Sequence, residues 1–252
     1  MDRELKAAVE GLYQAFERYP LRPSTEPCLH CHGAAEERVL HEHLLRDLTA
    51  NQLNGFASEA LTVWGDVVDF KHFLPRIMEI TVTETGFHWP FTESLFGRLA
   101  YANWREWPDD EHRAVERFLH VFWRVGLSGY PAADDIGSVL TSIAVTDVEL
   151  EPFLASWLEM PGEAPLRHLA EFAEMHASFL LARARVSNAY WGVEQKQAAN
   201  VVTRWIRSGQ PRVRLVDGFF VASSSAVEEE FSNAVRVLEA LEALPPSRIV
   251  AS

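Results

Sequence analysis

The residues best equipped for chemistry lie together near the amino terminus: Cys28-Leu29-His30-Cys31-His32, then His41-Glu42-His43. They include both cysteines and four of the ten histidines of a 252-residue chain. Two thiolates three positions apart form the usual knuckle half of a tetrahedral zinc site. A Cys2His2 set of Cys28, Cys31, His32 (or His30) and His41 would complete it, without the familiar second pair at close spacing. On one helix His41 and His43 point about 200° apart, so only one of them can bind. His41 shares a face with Leu44, Leu45 and Leu48, which turns it inward; His43 lies nearer the edge. The same Cys-x-x-Cys-His pattern serves haem attachment. That reaction takes place across a membrane, and Met1-Asp2-Arg3-Glu4-Leu5-Lys6 is charged where an export signal needs an apolar run. Cys-x-x-Cys redox catalysis sits at a helix start beside a βαβ pattern, which is missing here. The remaining alternative needs no metal, because cysteines pack as small hydrophobes and histidines sit readily on loop surfaces. The expected cofactor is therefore none, with zinc at Cys28, Cys31, His32 and His41 as the alternative.

Four further groups of residues could carry chemistry. His72 and Arg76, four apart on a helical stretch, share a face; Arg76 can meet Asp69, Glu79 or a carboxylate elsewhere. The structural reading is that they fix a turn between helices, and the functional one is that they donate to an anionic group or a partner. Arg204, Arg207, Arg212 and Arg214 with Trp205 form the one cationic cluster, able to take a phosphate or an acidic partner. The simpler expectation pairs them with Glu228, Glu229 and Glu230. His112, Glu116 and His120 line one helix face and read as solvated charges. Glu171, Glu174 and His176 lie on a long helix, with His176 on its apolar side as a hydrogen-bonded core histidine. No phosphate-cradling loop, G-x-S-x-G, H-E-x-x-H or dinucleotide fingerprint occurs in the sequence.

The elements that must position these groups are helical. Leu5, Ala8, Val9, Leu12, Tyr13 and Phe16 make one apolar face of a first helix, ended by Pro20 and Pro23. A short helix follows from about Ala34 to Leu45, and Thr49 with Gln52 forms a capping box for the next. Asp66 or Asp69 caps a segment through Phe70, Phe73, Ile77 and Ile80, kinked by or starting near Pro75. Thr92 starts another helix, and Pro108 with Asp109, Asp110 and Glu111 opens a long one. Asp134 or Asp135, Asp147 and Glu163 open three more, the last running to about Val186. A helix spans about Val193 to Arg207, and a final one Val227 to Leu244. Between these two, Val213-Arg214-Leu215-Val216, Asp217-Gly218 and Phe219-Phe220-Val221 carry the one hairpin signal, near 212–222. The fold expected is all-α: nine or ten helices in an antiparallel, helical-repeat-like (HEAT-like) stack with at most one hairpin. No linker divides the chain, so residues 1–252 are expected to be a single helical domain.

One stretch resembles a known group. Thr62-Val63-Trp64-Gly65-Asp66, an acid and an aromatic at Asp69-Phe70, then His72-Phe73-Leu74-Pro75-Arg76 is similar to a pattern in uncharacterised bacterial proteins. These also carry a cysteine pair upstream, as Cys28 and Cys31 do here. The resemblance covers residues 28–80. It implies a largely helical bacterial cytosolic protein and no catalytic residues.

Thirty-six acids against 23 bases give a net charge of −13. Such a field repels phosphate backbones and anionic lipid surfaces, so no nucleic acid and no membrane partner is expected. No stretch approaches the length of a membrane span, and the expected location is cytoplasmic. The functional expectation is a protein-interaction or scaffolding module with a protein partner, leaning away from an enzyme; the alternative is a zinc-binding protein.

Overall fold

The computed structural model describes residues 2–25, 34–83, 89–132, 134–183, 185–192 and 194–244. Among these, secondary structure is helical throughout, with twelve α-helices and no strand. The all-α expectation stands, while the helix count exceeds nine or ten. In order they are α1 (Arg3–Phe16), α2 (Ala34–Glu42), α3 (Ala50–Glu59), α4 (Val67–Thr83), α5 (Thr92–Tyr101), α6 (Asp109–Ser128), α7 (Ile136–Ala144), α8 (Glu151–Glu159), α9 (Ala164–Arg183), α10 (Lys196–Ile206), α11 (Gln210–Gly218) and α12 (Ser225–Glu242). Residue contacts divide the chain into two compact units, Met1–Phe122 and Trp123–Ser252.

In the first unit α1 packs on α4. Asp2 caps α1 by accepting from Glu4 N and Leu5 N, and all six apolar residues of the expected face are buried. Tyr13 meets Glu79, Tyr19 meets His72 and Arg22 meets Asp69, so the two stretches run antiparallel. Thr49 and Gln52 form the reciprocal capping box at the start of α3. Pro75 sits inside α4, eight residues after its start, and is buried with Leu74 and Ile77. It therefore neither starts nor ends the helix; tertiary burial outweighs the one lost backbone hydrogen bond. Aromatic rings fill the core: Phe56 packs against Phe73 and Trp64, and Phe16 and Phe70 against Trp107. Of the aromatic side chains between residues 91 and 107, Phe96, Trp104 and Trp107 are buried, whereas Phe91 and Tyr101 are exposed.

In the second unit α9 packs most extensively on α12, with α11 laid against both. Ser223 N donates to Glu163, and Arg167 makes a two-pronged pair with Glu230. The first turns of α9 and α12 thus lie side by side, so this pair departs from antiparallel order. Trp157 forms a central pillar, edge-on to Trp123 and Phe172 and stacked on Trp205. Asp147 does not open a helix. It takes a positive φ of 62° in a turn, and α8 begins at Glu151 with Pro152 in its first turn.

The hairpin expectation is overturned. Val213 to Gly218 is the body of α11, entered through Gly209 at φ +80° with Pro211 in the first turn. Leu215 and Gly218 are buried against the rest of the unit, and a Cβ on Gly218 would crowd Leu166 and Phe231. Gly218 is thus needed for close helix packing, and no hairpin turn is built on it. The alternation of Val213, Leu215 and a polar residue between them imitated a strand over a window too short to separate the two periods.

Candidate functional site

Cys28, Cys31, His30 and His32 lie outside the described residues. The described residues on either side of that segment are firmly held. Thr25 is fully buried, accepts from Trp64 Nε1 at 2.7 Å, and donates its own N–H to Glu37 Oε1 at 2.7 Å. Glu37 belongs to α2, so residue 25 is tied to the first turn of that helix. The bonds from Ser24 and Thr25 pull the Glu37 carboxyl below its ordinary range against the opposing effect of burial. His41 is exposed, contrary to the inward orientation expected; its neighbour Leu40 takes the buried place. α2 ends at Glu42, so the leucines expected to share a face with His41 are not on that helix. His43 is also exposed, with Nε2 2.8 Å from Gln52 Nε2. Among the described residues no group of three or more histidines, cysteines or carboxylates is placed to hold a metal ion.

Among the described residues, the densest polar chemistry joins Tyr19 and Arg22 to α4 and α6. Lys71 Nζ donates to Glu111 Oε2 at 2.7 Å and to Tyr19 Oη at 3.2 Å, and lies 4.3 Å from the centre of the Trp107 ring. Tyr19 in turn donates to Glu111 Oε1 at 2.6 Å. Glu111 is fully buried and Lys71 nearly so. A second, adjoining pair is Arg22 with Asp69, Nε and one Nη nitrogen each donating to one carboxylate oxygen, with Asp66 Oδ1 3.0 Å from Arg22. Asp69, buried, also accepts from Asp66 N. Gly65 makes this possible: its φ is +67°, and any Cβ there would come within 3.0 Å of the Asp69 side chain and 3.2 Å of Phe56. The Trp-Gly-Asp and His-Phe-Leu-Pro-Arg stretch is thus the part of α4 and its approach that clamps residues 19–25.

His72 and Arg76 join the same clamp. His72 Nδ1 lies 2.7 Å from the Tyr19 carbonyl, and burial lowers its pKa despite that bond and the Asp69 charge. Arg76 donates to the Leu48 carbonyl and to Glu79, both at 2.7 Å. Tyr13 donates to the same Glu79, which with burial pushes the phenol far above its ordinary value. Asp69, offered in the sequence as a partner of Arg76, is taken by Arg22 instead.

In the second unit the arginine cluster is also engaged, with partners other than Glu228, Glu229 and Glu230. Arg207 donates to the Leu241 and Leu244 carbonyls at the end of α12. Arg214 donates to the Leu158 and Met160 carbonyls at the end of α8. Both bring positive charge to a helix carboxyl end, where the backbone dipole favours it. Arg212 pairs with Glu242 through Nε, and Arg204 lies 3.8 Å from Glu151 on the surface. Glu230 is taken by Arg167.

His176 is buried as expected. Its Nδ1 accepts from Ser187 N at 3.1 Å, which leaves the ring proton on Nε2. Nε2 has no partner among the described residues and faces Gly137. His168 donates through Nε2 to the Gly129 carbonyl at 2.8 Å. Burial lowers the pKa of both rings. His112 packs edge-on against Trp104, so this ring is part of helix packing.

One surface has no counterpart in the sequence reading. Val213, Val216 and Phe220, at i, i+3 and i+7, are exposed along α11 and the turn that continues it, with Val221 beside them. Phe220 is 90 % exposed. A cavity of about 540 Å³ opens beside Val213, lined also by Leu158, Gly209, Arg212 and Arg214. The signal was present as a three- and four-residue spacing, masked by the hairpin pattern. Compared with protein-family models, curated proteins and solved structures, the chain matches none.

Proposed function

We propose that this chain is a protein-interaction module that binds through α11, in the bacterial cytosolic setting that the resemblance of residues 28–80 implies. The observation that carries the reading is the exposed row Val213, Val216 and Phe220 on a helix whose opposite face is buried. Contiguous apolar side chains beside a cavity mark contact sites more often than isolated ones do. The charged groups of the first unit support it too, since Lys71, Glu111, Arg22 and Asp69 are consumed in holding the fold. The antiparallel packing of α1 on α4 accords with a HEAT-like helical stack, an architecture whose helix faces serve as binding surfaces.

The test is photo-crosslinking in the native cell, with benzoylphenylalanine placed at Phe220 and, as a control, at exposed Tyr101. A discrete adduct from position 220 alone is expected. Equal or absent adducts at both positions would remove the basis for the reading.

The second reading is zinc held by Cys28, Cys31, His32 and His41. It is favoured by the tie between Thr25 and Glu37, which lie on either side of the cysteine pair in sequence. Elemental analysis of protein never exposed to chelator decides it: one zinc per chain is expected on this reading, and zinc below about a tenth of an equivalent excludes a site of ordinary affinity.

A further inference from the structure

The segment after α9 closes one side of a cavity of about 340 Å³, lined by Phe179 of α9 and by Arg185, Ser187, Asn188 and Ala189. That volume falls at the small end of the range for small-molecule sites, about 300–1,000 Å³. The wall is held in place. Val186 and Trp191 are buried and anchor it. Ser187 N donates to His176 Nδ1 at 3.1 Å, Asn188 Oδ1 accepts from Tyr190 N at 2.9 Å, and Asn188 Nδ2 reaches Ser138 Oγ at 3.4 Å.

Arg185 is the charge on this lining. Among the described residues its guanidinium makes no hydrogen bond and no ion pair, and Nε is sealed from solvent without a partner. A partly desolvated cation left in this way is costly, and an anion in the cavity offsets the cost. No carboxylate lines the cavity. Asp135 is joined to its wall through Ser138, but both Asp135 oxygens accept from Ser138, N at 3.1 Å and Oγ at 2.7 Å, at the positive end of α7. Glu171 and Glu174 lie more than a turn before Phe179 on α9, near Glu230. The carboxyl end of α9 is negative in its dipole, and exposed Arg183 in the last turn balances it. The net charge of −13 opposes an anion at long range, where salt screens it beyond about 8 Å.

We propose that this cavity binds a small organic acid, its carboxylate on the Nη nitrogens of Arg185 and its apolar body against Phe179. One guanidinium matches one carboxylate in charge and in planar shape, and the Ser187 hydroxyl is a further donor on the lining. A phosphate carries more negative charge than this lining can match.

Purified full-length chain is titrated with para-fluorobenzoate and read by fluorine NMR, with neutral para-fluorobenzamide and inorganic phosphate as comparisons. Saturable binding of the acid is expected, weakened about tenfold by Arg185→Gln, the scale of one charge-assisted pair. Phe179→Ala weakens it too. Arg185→Lys restores part of the loss by keeping the charge. Arg183→Gln, which removes the same charge outside the lining, leaves affinity unchanged. Arg185 has no partner in the fold among the described residues, so the circular dichroism of Arg185→Gln matches that of the parent chain. No saturation by about 10 mM acid overturns the proposal. Equal binding of the amide, tighter binding of phosphate, or unchanged affinity in Arg185→Gln does so as well.

Discussion

The cost of changing a residue here depends on whether its charge or its volume has anywhere to go. Glu111 is fully sealed, with Lys71 and Tyr19 as its partners. Lys71→Ala strands that carboxylate, and a loss of about 3–5 kcal/mol is expected in urea unfolding. The double variant Lys71→Met with Glu111→Leu recovers most of it, because two desolvated charges vanish together. A recovery that failed would mean the pair is worth more than its desolvation. Gly137 illustrates volume. A methyl there collides with His176 Nε2 and comes within 2.8 Å of Asp135 Oδ1. Gly137→Ala should cost about 1–3 kcal/mol, whereas Gly97→Ala, with nothing within 4 Å, gains about 0.5–1 kcal/mol from helix propensity. The buried histidines set a pH dependence. Burial lowers the pKa of His72, His168 and His176 below the ordinary 6.5. In the pH range below 6.5 the unfolded chain binds protons that the folded chain refuses, so stability rises with pH there. The contribution is complete above 6.5 and is lost as pH falls through the lowered folded values. The urea midpoint should fall as the pH is lowered below about 6.5, and His176→Phe should flatten part of that slope.

Local rules act most cleanly at helix starts. Thr49 and Gln52 satisfy each other's backbone donors at α3, so Thr49→Ala should cost about 1 kcal/mol in thermal or urea unfolding. Asp135 at α7 and Ser224 at α12 cap through the side chain alone, accepting from Ser138 N and Val227 N. The caps at Thr49 and Asp135, and the first-turn acids of α6, were legible because a cap is a local interaction of residues three apart. α11 was not legible. Val213 to Val221 satisfies the alternating template for a strand and the three- and four-residue template for a helix, and Asp-Gly tipped the reading to a hairpin. What chose the helix was Leu215 and Gly218 fitting against α9 and α12, an interaction between residues far apart in sequence. Substituting Leu215 by Ala should therefore cost about 2–5 kcal/mol, while exposed Val216→Ala changes stability little.

Across the whole molecule, the net charge of −13 governs long-range encounters. No mobility shift of duplex DNA is expected even at low salt, where an electrostatic binder would be at its strongest; a shift that salt abolishes would contradict this. Among the described residues no helix is long and apolar enough to cross a membrane. By itself the sequence determined the helical class, most helix starts and the buried face of α1. These follow from apolar period and end-capping, which act within a few residues. It also marked residues 60–76 as special without saying why. Only the tertiary structure decided that Gly65 makes room for Asp69, and that Asp69 belongs to Arg22 and Lys71 to Glu111. It also decided that the arginines of α10 and α11 close the ends of α8 and α12, and that α11 bares an apolar row. The reason is physical: an ion pair or a burial is a relation between distant residues. The pattern within one helix says which side chains can make such a contact, and the packing of the other helices settles which one they make.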